Sequence, residues 1–286
     1  MEIGIGLPST IPGVQRHELL DWARRADNAG FSTLGTLDRI TYPNYEPLIA
    51  LAAAAAVTER IRLTTAILIL PYRQSAAIVA KQTATIQHFS EGRFVLGAAV
   101  GGRPDDFEPF GVPMAGRGRR FEEMIEEIKR LWAGDERGIA GGVGPDVSAN
   151  PPQLIIGGQA DVAFRRAAQL GDGYIMGGGP PEYFPSVAEK VDAAWREQGR
   201  EGSPRKLSLT YYALGDDPET DTVASIGHYY EFAGEYREMV VSGTAKGPDE
   251  IRERVRAFEE AGCDELIMFP ASADPTQVDE LAEIVL

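Results

Sequence analysis

Gly157-Gly158-Gln159-Ala160 stands between a short apolar run at residues 153–156 and a helical pattern that opens at Asp161. Glycines at a helix N-terminus leave backbone N–H groups open to an anion, and the helix dipole favours negative charge there. Gln159 adds a side-chain donor, while the Asp161 carboxylate competes for the same N–H groups. A phosphate group suits such a turn; a plain tight turn is the other reading of the glycines. A second pair, Asp38-Arg39, follows the apolar run at 31–37. A guanidinium stays charged at any working pH. Arg39 therefore suits orienting an anionic substrate or stabilising developing negative charge, or else a salt bridge at a rim.

Other chemistries lack their residues. No Gly-x-Ser-x-Gly elbow and no phosphate-cradling Gly-Lys-Ser/Thr run occurs. Gly4-Ile5-Gly6 lacks the third glycine of a dinucleotide fingerprint. His17, His88 and His228 are isolated from one another and Cys263 is the lone cysteine, so neither a metal site nor a disulfide is expected. A chain without nucleophile, metal or paired acids often leaves the chemistry to a bound cofactor.

The elements that must position these residues alternate. Strand patterns at 3–8, 31–37, 61–70, 93–100, 153–156, 173–176, 206–214 and 265–269 are each followed by a helical pattern. One such helix is predicted over 220–241. Strict alternation implies a parallel sheet, and eight units in 286 residues predict a single α/β domain, a (β/α)8 TIM barrel over 1–286. The Gly- and Pro-rich stretch 134–152 reads as a long loop. Barrel sites lie at the C-terminal strand ends. That places Leu7, Gly101 and Met176-Gly177 at the mouth, with Ser9, Gly102, Arg103, Gly178 and Gly179 as weaker neighbours.

Charge and composition bound the partners. Lys and Arg number 28 against 43 Asp and Glu, a formal charge of −15, which argues against nucleic acid and against an anionic membrane surface. The longest apolar run, residues 48–57, is too short to cross a bilayer. The start Met1-Glu2-Ile3-Gly4-Ile5 lacks a secretory pattern, so a cytoplasmic protein is expected.

Several blocks, in order, carry a resemblance. They include Tyr45-Glu46-Pro47-Leu48, Leu70-Pro71-Tyr72-Arg73, Ala80-Lys81-Gln82 and Phe89-Ser90-Glu91-Gly92-Arg93-Phe94-Val95-Leu96-Gly97. Ile155-Ile156-Gly157-Gly158, Gly171-Asp172-Gly173-Tyr174-Ile175 and Ala261-Gly262-Cys263-Asp264-Glu265 follow. The chain resembles the bacterial luciferase-like monooxygenases, the flavin- or F420-dependent luciferase-like oxidoreductases. The resemblance implies the same barrel, with reduced FMN or coenzyme F420 at its mouth. It implies a bulge in the third strand with a non-proline cis peptide, here Ala66-Ile67, backing the flavin ring. The cofactor phosphate falls to Gly157, Gly158 and Gln159. Many F420-dependent relatives carry Asp-His where this chain has Asp38-Arg39, which weakens a histidine acid–base and, with the acidic surface, tilts the choice toward FMN. The implied activity is a monooxygenase acting with reduced FMN and O2 on a small organic substrate, fed by a separate flavin reductase. F420-dependent hydride transfer and a non-catalytic flavin-binding barrel are the alternatives. Family members are commonly homodimers or homotetramers.

Overall fold

A computed structural model of the protein describes residues 1–139 and 141–286. Its strands are β1 (Glu2–Gly6), β2 (Thr33–Thr36), β3 (Arg62–Thr65), β4 (Leu68–Ile69), β5 (Phe94–Ala99), β6 (Gln153–Gly157), β7 (Gly173–Met176), β8 (Arg205–Ala213), β9 (Ala245–Lys246) and β10 (Glu265–Pro270). All pairings among them are parallel. β10 pairs with both β1 and β8, which closes the sheet. β3 and β4 together supply one barrel strand, and β9 only extends the rim beside β8. The result is the eight-stranded TIM barrel that the alternation predicts.

Two apolar layers follow from the period of two along each strand. Outward residues such as Ile5, Leu96, Ile156 and Met268 pack under the helices. Inward residues, among them Val95, Ile155, Ile175, Leu209, Ile267 and Phe269, fill the barrel. Gly6 faces inward, alternating with Ile5, and has no side chain because the Phe269 ring occupies the space one would need. Below, at the N-terminal end, the fully buried Glu265 carboxylate accepts from Arg62 and Arg205, and both guanidinia also reach Glu2.

The helix Arg16–Ala29 ends at Gly30 and turns the chain into β2. Its Asp27 does a second job. The buried carboxylate accepts from the backbone N–H groups of Glu59, Arg60 and Ile61, at 2.9, 2.9 and 2.7 Å, and so fixes the turn into β3. Burial pushes this carboxyl up, but the three N–H donors outweigh it and hold it below the ordinary aspartate value. A depressed folded pKa stabilises the fold above the unfolded value and stops doing so as pH falls through the folded one. Asp27→Asn is therefore expected to lower stability by about 1–2 kcal/mol at neutral pH. In urea titrations the gap to wild type should close below about pH 4; a gap that persists there would refute the assignment.

Two predicted elements are broken. The strand 61–70 is interrupted at Ala66 and Ile67. Thr64 pairs with Val95 and Leu68 with Ala98, so one side advances four residues while the other advances three. This is a one-residue bulge. The helix predicted over 220–241 is interrupted: it runs from Pro218 through a wide π-type turn, Val223–Gly227, to Tyr229, breaks at a 3₁₀ turn Glu231–Ala233, and resumes as Glu235–Ser242. Gly234, at φ 54° and ψ −126°, takes a backbone conformation closed to other residues, and Tyr229 turns inward onto the barrel core. The stretch 134–152 holds no helix or strand among its described residues, only an isolated bridge between Glu136 and Gly142; Ala140 lies outside the described residues.

Candidate active site

Two adjoining cavities open at the C-terminal ends of the strands. The first measures about 210 Å³. Ala66, Ile67 and Ile69 of the bulged strand form its floor, Gly101 and Gly177 its sides, and Tyr229, Tyr230 and Tyr236 its roof. The roof is the segment whose helix fails. Its phenols are tied to one another and to the barrel: Tyr230 OH lies 2.7 Å from Tyr211 OH, and Tyr236 OH donates to Gly178 O at 2.9 Å. Burial raises the pKa of Tyr211, Tyr229, Tyr230 and Tyr236, so all four remain protonated at neutral pH.

Behind the floor sits Asp38, whose residue edges the cavity while its side chain is fully buried. Its Oδ2 accepts from Ile69 N at 2.8 Å, Tyr72 OH at 2.6 Å and Arg73 Nη2 at 3.1 Å, and its Oδ1 accepts from the same nitrogen at 3.1 Å. Burial pushes this carboxyl above the ordinary aspartate value, although Arg73, Tyr72 and the Ile69 N–H pull against it. With those donors engaged, the carboxylate fastens the end of β2 to β4. Arg39 turns away from it. Its guanidinium pairs with Asp105 at 2.9 Å, donates to Tyr229 O at 3.2 Å and lies 4.8 Å from the centre of the Tyr42 ring. Asp106 beside Asp105 accepts from the N–H groups of Ile40 and Thr41, at 2.9 and 3.1 Å. The loops after β2 and β5 are thus laced together, and Arg39 pins the roof.

The second cavity is built on the turn after β6. Gly157, Gly158, Gln159 and Ala160 line it, facing Arg117 at the start of the helix Arg117–Trp132 and Arg166 from the helix Asp161–Leu170. Asp161 does not compete here: its carboxylate points outward to Lys190 Nζ, at 3.0 Å. In the first turn Ala163 N already donates to Ala160 O at 2.7 Å, which leaves the N–H groups of Asp161 and Val162 for an anion. Arg117 stands opposite, and Arg166, whose Nε pairs with Glu122 at 2.6 Å, stands beside it. Arg117 Nε donates to Gly101 O at 3.0 Å, so one arginine touches a wall of each cavity. Ile67 does the same from the other side, since its Cδ1 fills the place where a Gly157 side chain would stand.

A family model described as luciferase-like monooxygenase matches residues 1–265. The chain belongs to that family. An uncharacterised protein of Mycobacterium tuberculosis is 32% identical over 207 residues, 62% of this chain and 71% of its own length. Among solved structures, an F420-dependent secondary alcohol dehydrogenase in complex with an F420–acetone adduct superposes with a TM-score of 0.81 at 17% identity, covering 99% of this chain and 98% of that one. The oxygenating constituent of 3,6-diketocamphane monooxygenase from Pseudomonas putida, in complex with FMN, gives 0.77 at 17% identity, covering 100% and 98%. Members of the luciferase-like family are oxidoreductases, monooxygenases among them.

Within this luciferase-like barrel the predicted residues separate. Ala66, Ile67, Gly101 and Gly177 come together around the mouth cavity, and Gly157, Gly158 and Gln159 around the arginine-lined one. The bulge at Ala66-Ile67 is present but its peptide is trans; among the described residues the cis bond is Gly144-Pro145. The extra residue is absorbed by hydrogen bonds instead, Ala66 N to Thr36 O at 2.7 Å and Thr65 Oγ1 to Gly97 O at 2.7 Å. Leu7 instead lines a separate small pocket beside Tyr211 and Phe269 that meets the mouth cavity at Leu37 and Tyr229. Met176 points outward into the helix layer, because its neighbour Ile175 takes the inward position. Asp38 and Arg39 act as fasteners, with no free oxygen on the first and the second buried under the roof. Sequence reasoning missed Tyr229, Tyr230 and Tyr236, hidden in a stretch read as helix. It also missed Arg117 and Arg166; the signal for the first was an arginine flanked by Gly116 and Gly118 just ahead of an amphipathic helix.

Proposed function

We propose that the protein is a flavin-dependent monooxygenase that binds reduced FMN, with the ring in the mouth cavity and the phosphate in the arginine-lined one. The observation that carries this reading is the adjacency of the two cavities through Gly101–Arg117 and Ile67–Gly157. A flat ring joined by a short chain to a dianion fits that pair. Gly177 and Gly102 open onto free space where side chains would stand, and on the phosphate side Arg117 and the Glu122-paired Arg166 converge with a helix N-terminus.

Bound reduced flavin would supply the electrons that activate O2 toward a small organic substrate. The chain's own part is positional. Ile67 and Ile69 support the ring from below, and the tyrosine roof excludes water. No histidine lines the mouth cavity, and its two aspartates, Asp38 and Asp106, are engaged by other groups. That leaves only phenols, whose protons burial holds tightly, to exchange a proton with an alcohol, which favours FMN and O2 over hydride transfer with F420. Reduced flavin would come from a separate reductase.

Anaerobic titration of the protein with FMN, reduced FMN and F420, followed by fluorescence quenching, tests this. Saturable binding of reduced FMN is expected. Binding of F420 with none of FMN would transfer the site to the deazaflavin, and binding of neither would end the cofactor reading. In the same assay Gly158→Asp, which places a carboxylate among the phosphate donors, should weaken FMN by about tenfold to a hundredfold. Unchanged affinity would remove the phosphate from this turn.

A further inference from the structure

One guanidinium of the mouth stands without a carboxylate partner among the described residues. Arg73 is paired with Asp38 and Glu46, and Arg39 with Asp105. Asp106 is committed to two backbone N–H groups. Arg103, which lines the mouth cavity, has no carboxylate within 4 Å among the described residues. Its Nη2 donates to Tyr229 O at 3.2 Å, the carbonyl that Arg39 also holds, while its Nη1 is sealed from solvent with no partner at all. Over its guanidinium, 3.5 Å from Cζ to ring centre, lies Phe232, a half-exposed ring that also stacks on Tyr230 at 6.3 Å and approaches Arg39 at 5.4 Å. Burial holds Arg103 below the usual arginine value, with the Arg39 charge acting in the same direction and Tyr229 and Asp106 against it. A guanidinium that lines the mouth with no carboxylate within 4 Å and with its buried Nη1 unpartnered leaves a hydrogen-bonding place for one anionic group.

We propose that the substrate carries an anionic oxygen group, a carboxylate or an ionised phenol, on a flat apolar frame, and that Arg103 receives that group. This rests on the mouth cavity being the active site, as proposed above. The frame follows from the walls: Phe107, Tyr229, Tyr230 and Tyr236 surround the space with ring faces and edges. The anion follows from the unmatched guanidinium, whose planar donors suit a carboxylate. Phe232 yields its place over Arg103 when the anion arrives.

The test uses the full chain and two fluorescent probes of one shape, 2-naphthoate and the neutral 2-naphthamide. The acid is expected to bind at least about tenfold more tightly than the amide, with a preference that shrinks as salt is raised. Arg103→Met should abolish the preference and Arg103→Lys restore part of it. Equal binding of acid and amide by the wild-type protein overturns the inference, and that comparison needs no variant to fold. So does a preference that survives Arg103→Met and is displaced by inorganic phosphate, because the acid then sits in the arginine-lined cavity. FMN is titrated separately on the same protein. Absent FMN binding with the acid preference intact sinks the cofactor reading alone; lost preference with FMN bound sinks this one alone.

Discussion

Gly97→Ala is expected to destabilise the protein by about 3 kcal/mol and to weaken cofactor binding with it. The reason lies in how the bulge is seated. A side chain at Gly97 would overlap the backbone carbonyl oxygen of Thr65, and its next neighbour would be Ile67. A rotating side chain could move aside; a carbonyl held inside a closed barrel cannot. Thr65 Oγ1 also donates to Gly97 O at 2.7 Å, so the two backbones are tied where the methyl would enter. Relief requires the bulge to shift, and the bulge carries Ala66 and Ile67, the floor of the mouth cavity. Urea denaturation of wild type and variant measures the first effect, and FMN titration of the folded fraction the second. A variant within about 0.5 kcal/mol of wild type would show that the bulge is free to move, and the floor would no longer be a fixed surface.

Gly97 also shows which parts of this molecule could be read from the chain. The alternation of strand and helix rests on periodicity, which every residue of an element repeats, and it gave the barrel with its eight strands in the right places. The turn at Gly157 and Gly158 was legible because a helix N-terminus is a local feature. The bulge was legible only through resemblance, since its cause is the register between β3, β4 and β5. Met176 failed for the same kind of reason: the choice of inward residue at the end of β7 depends on its neighbours in the sheet, and Ile175 takes it. The roof failed because Tyr229, Tyr230 and Tyr236 fit a helical stripe as well as they fit a lid. Only the conformation of Gly234 and the burial of Tyr229 decide between them. Asp38 and Arg39 looked like chemistry because of their position. Their partners, Tyr72-Arg73 and Asp105, lie more than thirty residues away, and no local pattern reveals such pairs.

The Asp38 assignment has the sharpest consequence. Asp38→Ala should destabilise the fold by about 3–5 kcal/mol, because it strips a buried guanidinium of its main counter-charge. Arg73 would keep Glu46 at 2.8 Å, but its Nη2 and the Tyr72 hydroxyl would lose their acceptor, and the Ile69 N–H would be left unpaired beneath the cavity floor. Asp38→Asn separates fastening from catalysis. The amide oxygen can still accept from Ile69 N or Tyr72 OH, while the negative charge is gone, so a smaller loss of about 1–3 kcal/mol is expected. A carboxylic acid that moved a proton in the reaction would behave otherwise: Asn would leave the melting temperature nearly unchanged and remove most of the turnover. Thermal melts and turnover per folded molecule, measured side by side on the two variants, therefore distinguish the roles. Stability should fall in the order wild type, Asn, Ala, with turnover of the Asn protein reduced by less than about tenfold, under the 10²–10⁴ typical of a lost acid–base. A stable Asn protein without activity would return Asp38 to the reaction and require one of its four hydrogen bonds to open during turnover.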